Sequence, residues 1–510
     1  MKIIRTLSTA LAFVALLTTA QVLAHERTIS DIQTEFQSGK LTSVALVEEY
    51  YATIKKHNSD GADLRAVISL IDLDTLREQA RQLDNELAAG HSRGELHGIP
   101  VLLKDNIDTA DGLANTAGSY LLRDHMPPDD AFIVQRLRAA GAIIMGKANL
   151  SEWANFRSTN SASGWSSWGG LVKNPYDSSR TACGSSSGSA VAVSANFTVL
   201  AVGTETDGSL ICPAAINGIV TIKPTVGLLS RDGIIPISAS QDTAGPMARN
   251  VTDAVYMLDA MVGKDSADSA SFAPTANYSR HLRVDGLAGK RIGVVRELMG
   301  YNQAMDAIFT ERLEQLKEAG AVIVDEVKFP QGRNWGNDEF AVLLYEFNQG
   351  MTEYFAASPH TQYSSLQDLH DANIAHAETT MPWFGQELFT MALAATDKEA
   401  YLAAKKSARE KAGKLAIDAA MADYDLDLLI APSVSPAWKI DLINGDNFSG
   451  SASGAAAVAG YPHITVPMGF VEHLPVGMSF FGTAKSEPIL IEAAYAFEQI
   501  SQARRAPVLR

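Results

Sequence analysis

Short uninterrupted apolar runs alternate with helical stretches along this chain, and that rhythm confines it to an α/β architecture. Val101-Leu102-Leu103, Ala142-Ile143-Ile144-Met145 and Val199-Leu200-Ala201-Val202 lack the polar alternation of a strand with one wet face. Each therefore reads as a strand buried on both sides. Helical spacing covers residues 28–58, with Ser43 as an N-cap, and residues 73–89 and 130–140, which Gly90 and Gly141 close. The same alternation returns with a strand at 291–295, a helix at 304–319 and strands at 321–324, 428–431 and 464–466. Residues 251–262 and 492–500 read as helices, and 337–425 as a mostly helical region rich in aromatics. Residues 151–189 are different: Gly, Ser, Asn and Trp crowd together with little periodicity, the mark of a long functional loop. A small, polar stretch within 263–290 reads as a surface excursion.

The first 24 residues read as a secretory leader. Lys2 and Arg5 precede an apolar run from Leu7 to about Leu17, and Val22-Leu23-Ala24 fits a small-residue cleavage site. The run is shorter than the roughly 20 residues that span a bilayer. Cleavage after Ala24 would leave one domain, residues 25–510, in the periplasm or outside the cell, and shift the formal charge from −16 to −18. That charge argues against binding nucleic acid or anionic membrane, since both would repel it. The two cysteines, Cys183 and Cys212, form neither a disulfide scaffold nor a zinc spacing. They read as two free buried thiols, although one bond is open to them in an oxidising compartment.

Three segments carry the chemistry. Lys104 directly follows the apolar run Val101-Leu102-Leu103, where desolvation would lower its pKa and free its lone pair. Cys183-Gly184-Ser185-Ser186-Ser187-Gly188-Ser189 permits close backbone approach and runs straight into the apolar Ala190-Val191-Ala192-Val193. Gly203-Thr204-Glu205-Thr206-Asp207-Gly208-Ser209 follows a buried strand, and a tight turn there would aim backbone N–H groups into one concavity, a nest for an oxyanion. Ser209 at its end is the candidate nucleophile. It is not flanked as Gly-x-Ser-x-Gly, which argues against an α/β-hydrolase.

The order Lys, Gly-Ser-Ser, Gly-Thr-x-x-x-Gly-Ser resembles the amidase signature family. Asn174-Pro175-Tyr176, Ile222-Lys223-Pro224-Thr225 and Ser240-Gln241-Asp242-Thr243-Ala244-Gly245-Pro246 extend the likeness over residues 29–505. Within the family, Asn149-Leu150-Ser151-Glu152-Trp153-Ala154-Asn155-Phe156 looks like the peptide amidases, which remove C-terminal carboxamides. The resemblance implies one large mixed β-sheet covered by helices on both faces. It implies a catalytic triad of Lys104, Ser185 and Ser209, with the N–H groups of Thr206, Asp207, Gly208 and Ser209 as oxyanion hole. It implies no cofactor and no metal, and a small-molecule or peptide amide as substrate. Cys183 and Asp207 stand where many members have glycine, which bears on pocket polarity. The eleven histidines, His97 beside the lysine strand included, show no ligand spacing and read as structural or surface groups. A general or aryl amidase of the same family is the alternative. The amidotransferase A subunit of the family is cytoplasmic, which the leader argues against. A non-catalytic binding protein on this scaffold would be expected to have lost a triad residue, and all three are present.

Overall fold

The computed structural model describes residues 26–360 and 362–509. The expected leader and the expected new N-terminus at His25 lie outside the described residues. Eleven strands form one mixed sheet: β1 (Val67–Leu70), β2 (Pro100–Lys104), β3 (Ile143–Ala148), β4 (Leu200–Glu205), β5 (Val220–Lys223), β6 (Thr243–Ala248), β7 (Arg291–Val294), β8 (Val322–Val324), β9 (Leu428–Pro432), β10 (His463–Val471) and β11 (Leu474–Phe481). The spatial order is β1-β3-β2-β4-β6-β5-β10-β11-β9-β7-β8. β3-β2-β4 and β9-β7-β8 are parallel, and the remaining pairings are antiparallel.

Every residue of β2, β3, β4 and β9 is buried, as their continuous apolar runs required, and so is every residue of β6, whose sequence carries no such run. Each fully buried Val, Leu or Ile contributes about 1.5–3 kcal/mol relative to exposure, so this core holds polar residues at strand ends without unfolding. The N-terminal helical stretch divides into Ile29–Gln37 and Ser43–His57. Thr42, one residue ahead of the expected cap, holds the extended backbone of a cap and its side chain accepts from Ala45 N–H, while the Ser43 N–H is given to Asp84 at 2.7 Å. The helix at Leu73–Ala88 matches its expected span almost to the residue.

The mostly helical region opens with Gly336–Ala357 and continues through Leu366–Ala375, Glu387–Ala394 and Lys398–Arg409. It packs beside the cleft through Trp153, Phe347 and Phe389, whose rings meet at 5.4–5.6 Å. A buried ion pair, Arg157 to Glu152 at 2.7 Å, anchors the start of the long irregular loop, with the guanidinium also over the Phe384 ring. The expected excursion after residue 262 is tied down: Ser230 donates to Asp265 at 2.6 Å, and the Arg231 Nε donates to Asp268 at 2.8 Å.

Candidate active site

β2 runs between β3 and β4 and delivers its last residue, Lys104, into the interior with no exposed surface. The Lys104 Nζ lies 2.7 Å from Ser185 Oγ, 2.8 Å from Thr204 Oγ1 and 3.1 Å from the Thr204 carbonyl. The three oxygens match the three N–H groups of an ammonium; once the amine is neutral, the two Thr204 oxygens can keep its two N–H groups and its lone pair is free to accept the Ser185 O–H. Burial pushes the Lys104 pKa down from 10.5 to about 7, against the opposing pull of Asp242 and Glu205. That shift disfavours the ammonium by roughly 5 kcal/mol, so at neutral pH a large fraction of the lysine is a free base.

The loop bearing Ser185 is held by contacts that tolerate no substitution at two glycines. A Cβ on Gly184 would lie 2.0 Å from Ser151 Oγ, and one on Gly188 would lie 2.3 Å from the Ala66 carbonyl. The Gly184-Ser185 peptide is cis, and the Ser185 carbonyl accepts from Ser151 N–H at 3.1 Å. Helix Ser187–Ser194 begins two residues later and packs on β4 and β2. Ser186 locks this loop to β4: its hydroxyl donates to the Thr204 carbonyl at 2.9 Å and accepts from Thr204 N–H at 3.1 Å. The run from Gly184 to Gly188 also satisfies Gly-x-Ser-x-Gly about Ser186. With Ser186 buried and its hydroxyl engaged in both directions, it is not an exposed nucleophile.

β4 ends at Glu205 and turns through Thr206, Asp207 and Gly208 to Ser209. Gly208 takes φ +75°, the left-handed conformation that glycine adopts at no steric cost. The Glu205 carboxylate caps the turn from below, accepting from Leu210 N–H at 2.7 Å and Ile211 N–H at 3.0 Å. Thr206 donates to Asp242 at 2.6 Å. The Ser209 carbonyl accepts from Ser186 N–H at 3.2 Å, which seats this turn against the Ser185 loop. Thr206, Asp207, Gly208 and Ser209 then line a cleft of about 480 Å³ together with Gly184. The residues singled out from sequence are thus brought to one place.

Cys183 and Cys212 depart from expectation. They are joined in a disulfide, with Cα atoms 6.0 Å apart. The two stand 29 positions apart in the chain, so only the packing of the two loops reveals that their Cα atoms fall within bridging range. The Asp207 side chain faces the open cleft and keeps solvent contact, yet protein atoms crowd it enough for desolvation to dominate. Its carboxyl rises to about 6, with Glu205 adding to the shift and Ser453 and Lys223 opposing it. Nearby Glu339, on helix Gly336–Ala357, is raised to about 8 by burial and by Asp207. His97 is structural: its ring accepts from Arg93 N–H and bonds to the Leu83 carbonyl.

The opposite cleft wall comes from the irregular loop. Trp153, Ala154 and Asn155 all hold positive φ, at 54°, 52° and 71°, which presents Ala154, Asn155 and Phe156 to the cleft. Non-glycine residues in this region are uncommon, and a run of three marks a shape imposed by its surroundings. Asp446 ties the far rim shut, accepting from Ser163 N–H and from Trp438 Nε1 at 3.0 Å. Thr204, Asn106 and Ser186 were not picked out from sequence. Thr204 lies inside the Gly-Thr motif, and its hydroxyl accepts from both Lys104 and Asn106 Nδ2. Only a three-dimensional partner shows that use.

The fold has counterparts among known proteins. The Amidase family profile matches residues 45–491. Two peptide amidase structures, the native enzyme from Stenotrophomonas maltophilia and a complex with the competitive inhibitor chymostatin, are each 48% identical to this chain. Each superposition covers 95% of this chain and 99% of the other, with TM-scores of 0.90 and 0.91. A probable amidase of Arabidopsis thaliana is 38% identical over 94% of this chain and 91% of its own length. The chain belongs to the amidase signature family, and is an enzyme that hydrolyses amide C–N bonds.

Proposed function

We propose that this enzyme cleaves C-terminal carboxamides of peptides through an acyl-enzyme on Ser209, with Ser185 and Lys104 completing the triad. The observation that carries the reading is the 2.7 Å contact between Lys104 Nζ and Ser185 Oγ, two residues with no exposed surface. An amide demands an activated nucleophile, a stabilised oxyanion and a proton for the departing nitrogen. Neutral Lys104 accepts a proton from Ser185, which takes one from Ser209 as Ser209 attacks the carbonyl. The N–H groups of Thr206, Asp207, Gly208 and Ser209 receive the oxyanion. Ser185 then protonates the leaving nitrogen, and water releases the acyl group.

The preference for peptide amides is supported by the 48% identity to peptide amidases and by the walls around Ala154, Asn155, Phe156 and Trp438, which give a chain room to lie beside the scissile bond. Contacts remote from the reacting carbonyl raise turnover by fixing orientation. Ammonia release from a dipeptide amide should therefore exceed that from propionamide by about 10²-fold or more in kcat/KM, with internal peptide bonds spared. A panel of peptide amides, aryl amides and aliphatic amides on purified protein decides this. A preference for aryl or simple aliphatic amides would replace the peptide reading with that of a general amidase and leave the triad standing.

The same proposal places the enzyme in the periplasm or outside the cell, on the strength of the basic, apolar and small-residue pattern before His25. Among the described residues, no helix is long and apolar enough to cross a membrane. Expressed in a Gram-negative host, the secreted or periplasmic product should have an intact mass that begins at His25. A soluble product that keeps Met1 would end this part of the proposal.

A further inference from the structure

The disulfide brackets the chemistry. Cys183 lies two residues before Ser185, and Cys212 lies three residues after Ser209, as the second residue of helix Ile211–Ile216. The two serines ride on loops that approach from different elements. Ser185 precedes helix Ser187–Ser194, whereas Ser209 ends the turn leaving β4. Close to the serines, the Ser186 N–H to Ser209 carbonyl hydrogen bond at 3.2 Å joins these loops. Asn217 Nδ2, donating to the Ala182 carbonyl at 2.9 Å, joins them again further back. Each is a hydrogen bond of modest net strength, softer than a covalent link. The covalent bridge is the stiff member of the set. It also has a fixed purchase on both ends: the Cys183 carbonyl accepts from Ser187 Oγ at 2.5 Å, and Cys212 N–H donates to the Gly208 carbonyl at 2.8 Å. The two cysteines belong to one buried cluster with Ala215, Ile216, Val434, Ala437 and Trp438, and both line the cleft that Ser209 faces.

We infer that the Cys183–Cys212 bridge is a positioning element of the reaction, setting the distance between Ser185 and Ser209 over which the proton must pass. This rests on the triad reading above. Proton transfer between two hydroxyls falls steeply once they leave hydrogen-bond reach, while substrate is gripped mainly by the cleft walls. Opening the bridge therefore lowers kcat and leaves KM nearly unchanged. Because both cysteines line the cleft, a thiol reaching them there competes with substrate. In the opening step, a dithiol such as dithiothreitol gives two electrons and two protons to the bridge, leaving two protein thiols and one oxidised cyclic reagent.

The test uses the whole protein in its oxidised form, the same protein reduced with dithiothreitol to two titratable thiols, and the Cys183→Ala/Cys212→Ala double variant. The expected result is a fall in kcat of about tenfold or more with KM within about threefold, at unchanged far-UV circular dichroism. A competitive peptide-amide analogue should slow reduction. Reoxidation of the reduced protein should restore kcat, which separates positioning from irreversible unfolding if the double variant does not fold. Full kcat in protein carrying two free thiols would overturn the inference. Ser209→Ala, assayed alongside, keeps the two ideas apart. An active Ser209→Ala variant refutes the triad, whereas an inactive one beside a fully active reduced enzyme refutes the role of the bridge alone.

Discussion

Replacing Ser209 by alanine should lower kcat by about 10⁴-fold or more and abolish any covalent intermediate. The alanine fits the space, since it removes one oxygen from a residue that already faces the cleft. The turn that would bind the oxyanion is held by Glu205 through Leu210 and Ile211 N–H and by Gly208, none of which needs the Ser209 hydroxyl. Substrate affinity should therefore survive within a few-fold, and the loss should fall on kcat. Ser185→Ala should be milder than Ser209→Ala, because a water in the vacated space can link Ser209 to Lys104. Mass spectrometry of an ester substrate mixed with the Ser185→Ala variant, where deacylation is slowed, should find one acyl adduct on the peptide containing Ser209. An adduct on Ser185 or Ser186, or an active Ser209→Ala variant, would reassign the nucleophile.

The parts of this molecule that were legible in sequence share a physical property: their signal is local. β2, β3 and β4 are parallel strands buried on both faces, and their continuous apolar runs record it. Strands β6 and β11 were missed because Gly245, Pro246, Pro475 and Gly477 interrupt any strand pattern. Pro246 lies just beyond the ladder with β5, which covers Met247 and Ala248, and the Thr221 hydroxyl of β5 donates to its carbonyl at 2.8 Å. Lys104, Ser185 and Ser209 could be singled out as candidates because each sits in a motif with a local backbone purpose. The second ring of partners could not. Thr204 is one threonine among many until β4 is laid beside β2, and Asp242 gains its place near Lys104 only once β6 pairs with β4 and the Thr206 hydroxyl and the Ile237 and Ser238 N–H groups hold its carboxylate. The free-thiol reading of Cys183 and Cys212 failed for the same reason, since a bridge is a statement about distance rather than spacing.

The pH dependence of kcat/KM should carry an acid limb centred near pH 7 that belongs to Lys104. The sign follows from the direction of the shift. Burial lowers the pKa of this lysine from 10.5 to about 7, so the neutral, base-competent form is reached at lower pH than in an exposed lysine. An exposed lysine would be neutral in only about 3 molecules in 10⁴ at pH 7. Here about half are neutral at that pH, and activity should climb through neutrality to a plateau about two units above. Asp242 and Glu205 both pull the other way by favouring the ammonium. Asp242→Asn removes one of those attractions while keeping an acceptor for the Thr206 hydroxyl, so its acid limb should move to lower pH. Asp207 and Glu339, raised to about 6 and about 8, also titrate in this range. They stand in and beside the cleft, so Asp207→Asn and Glu339→Gln show which part of the profile is theirs, and a limb that persists in both variants belongs to Lys104. Lys104→Ala should lower kcat/KM by about 10²-fold or more and erase the limb. Lys104→Arg should not rescue it, because a guanidinium stays protonated at every accessible pH. The measurement is kcat/KM against pH for wild type and these variants with one amide substrate. A Lys104→Ala enzyme that keeps both its rate and its limb would remove the lysine from the mechanism, and with it the reason this buried amine ends a strand beside Ser185.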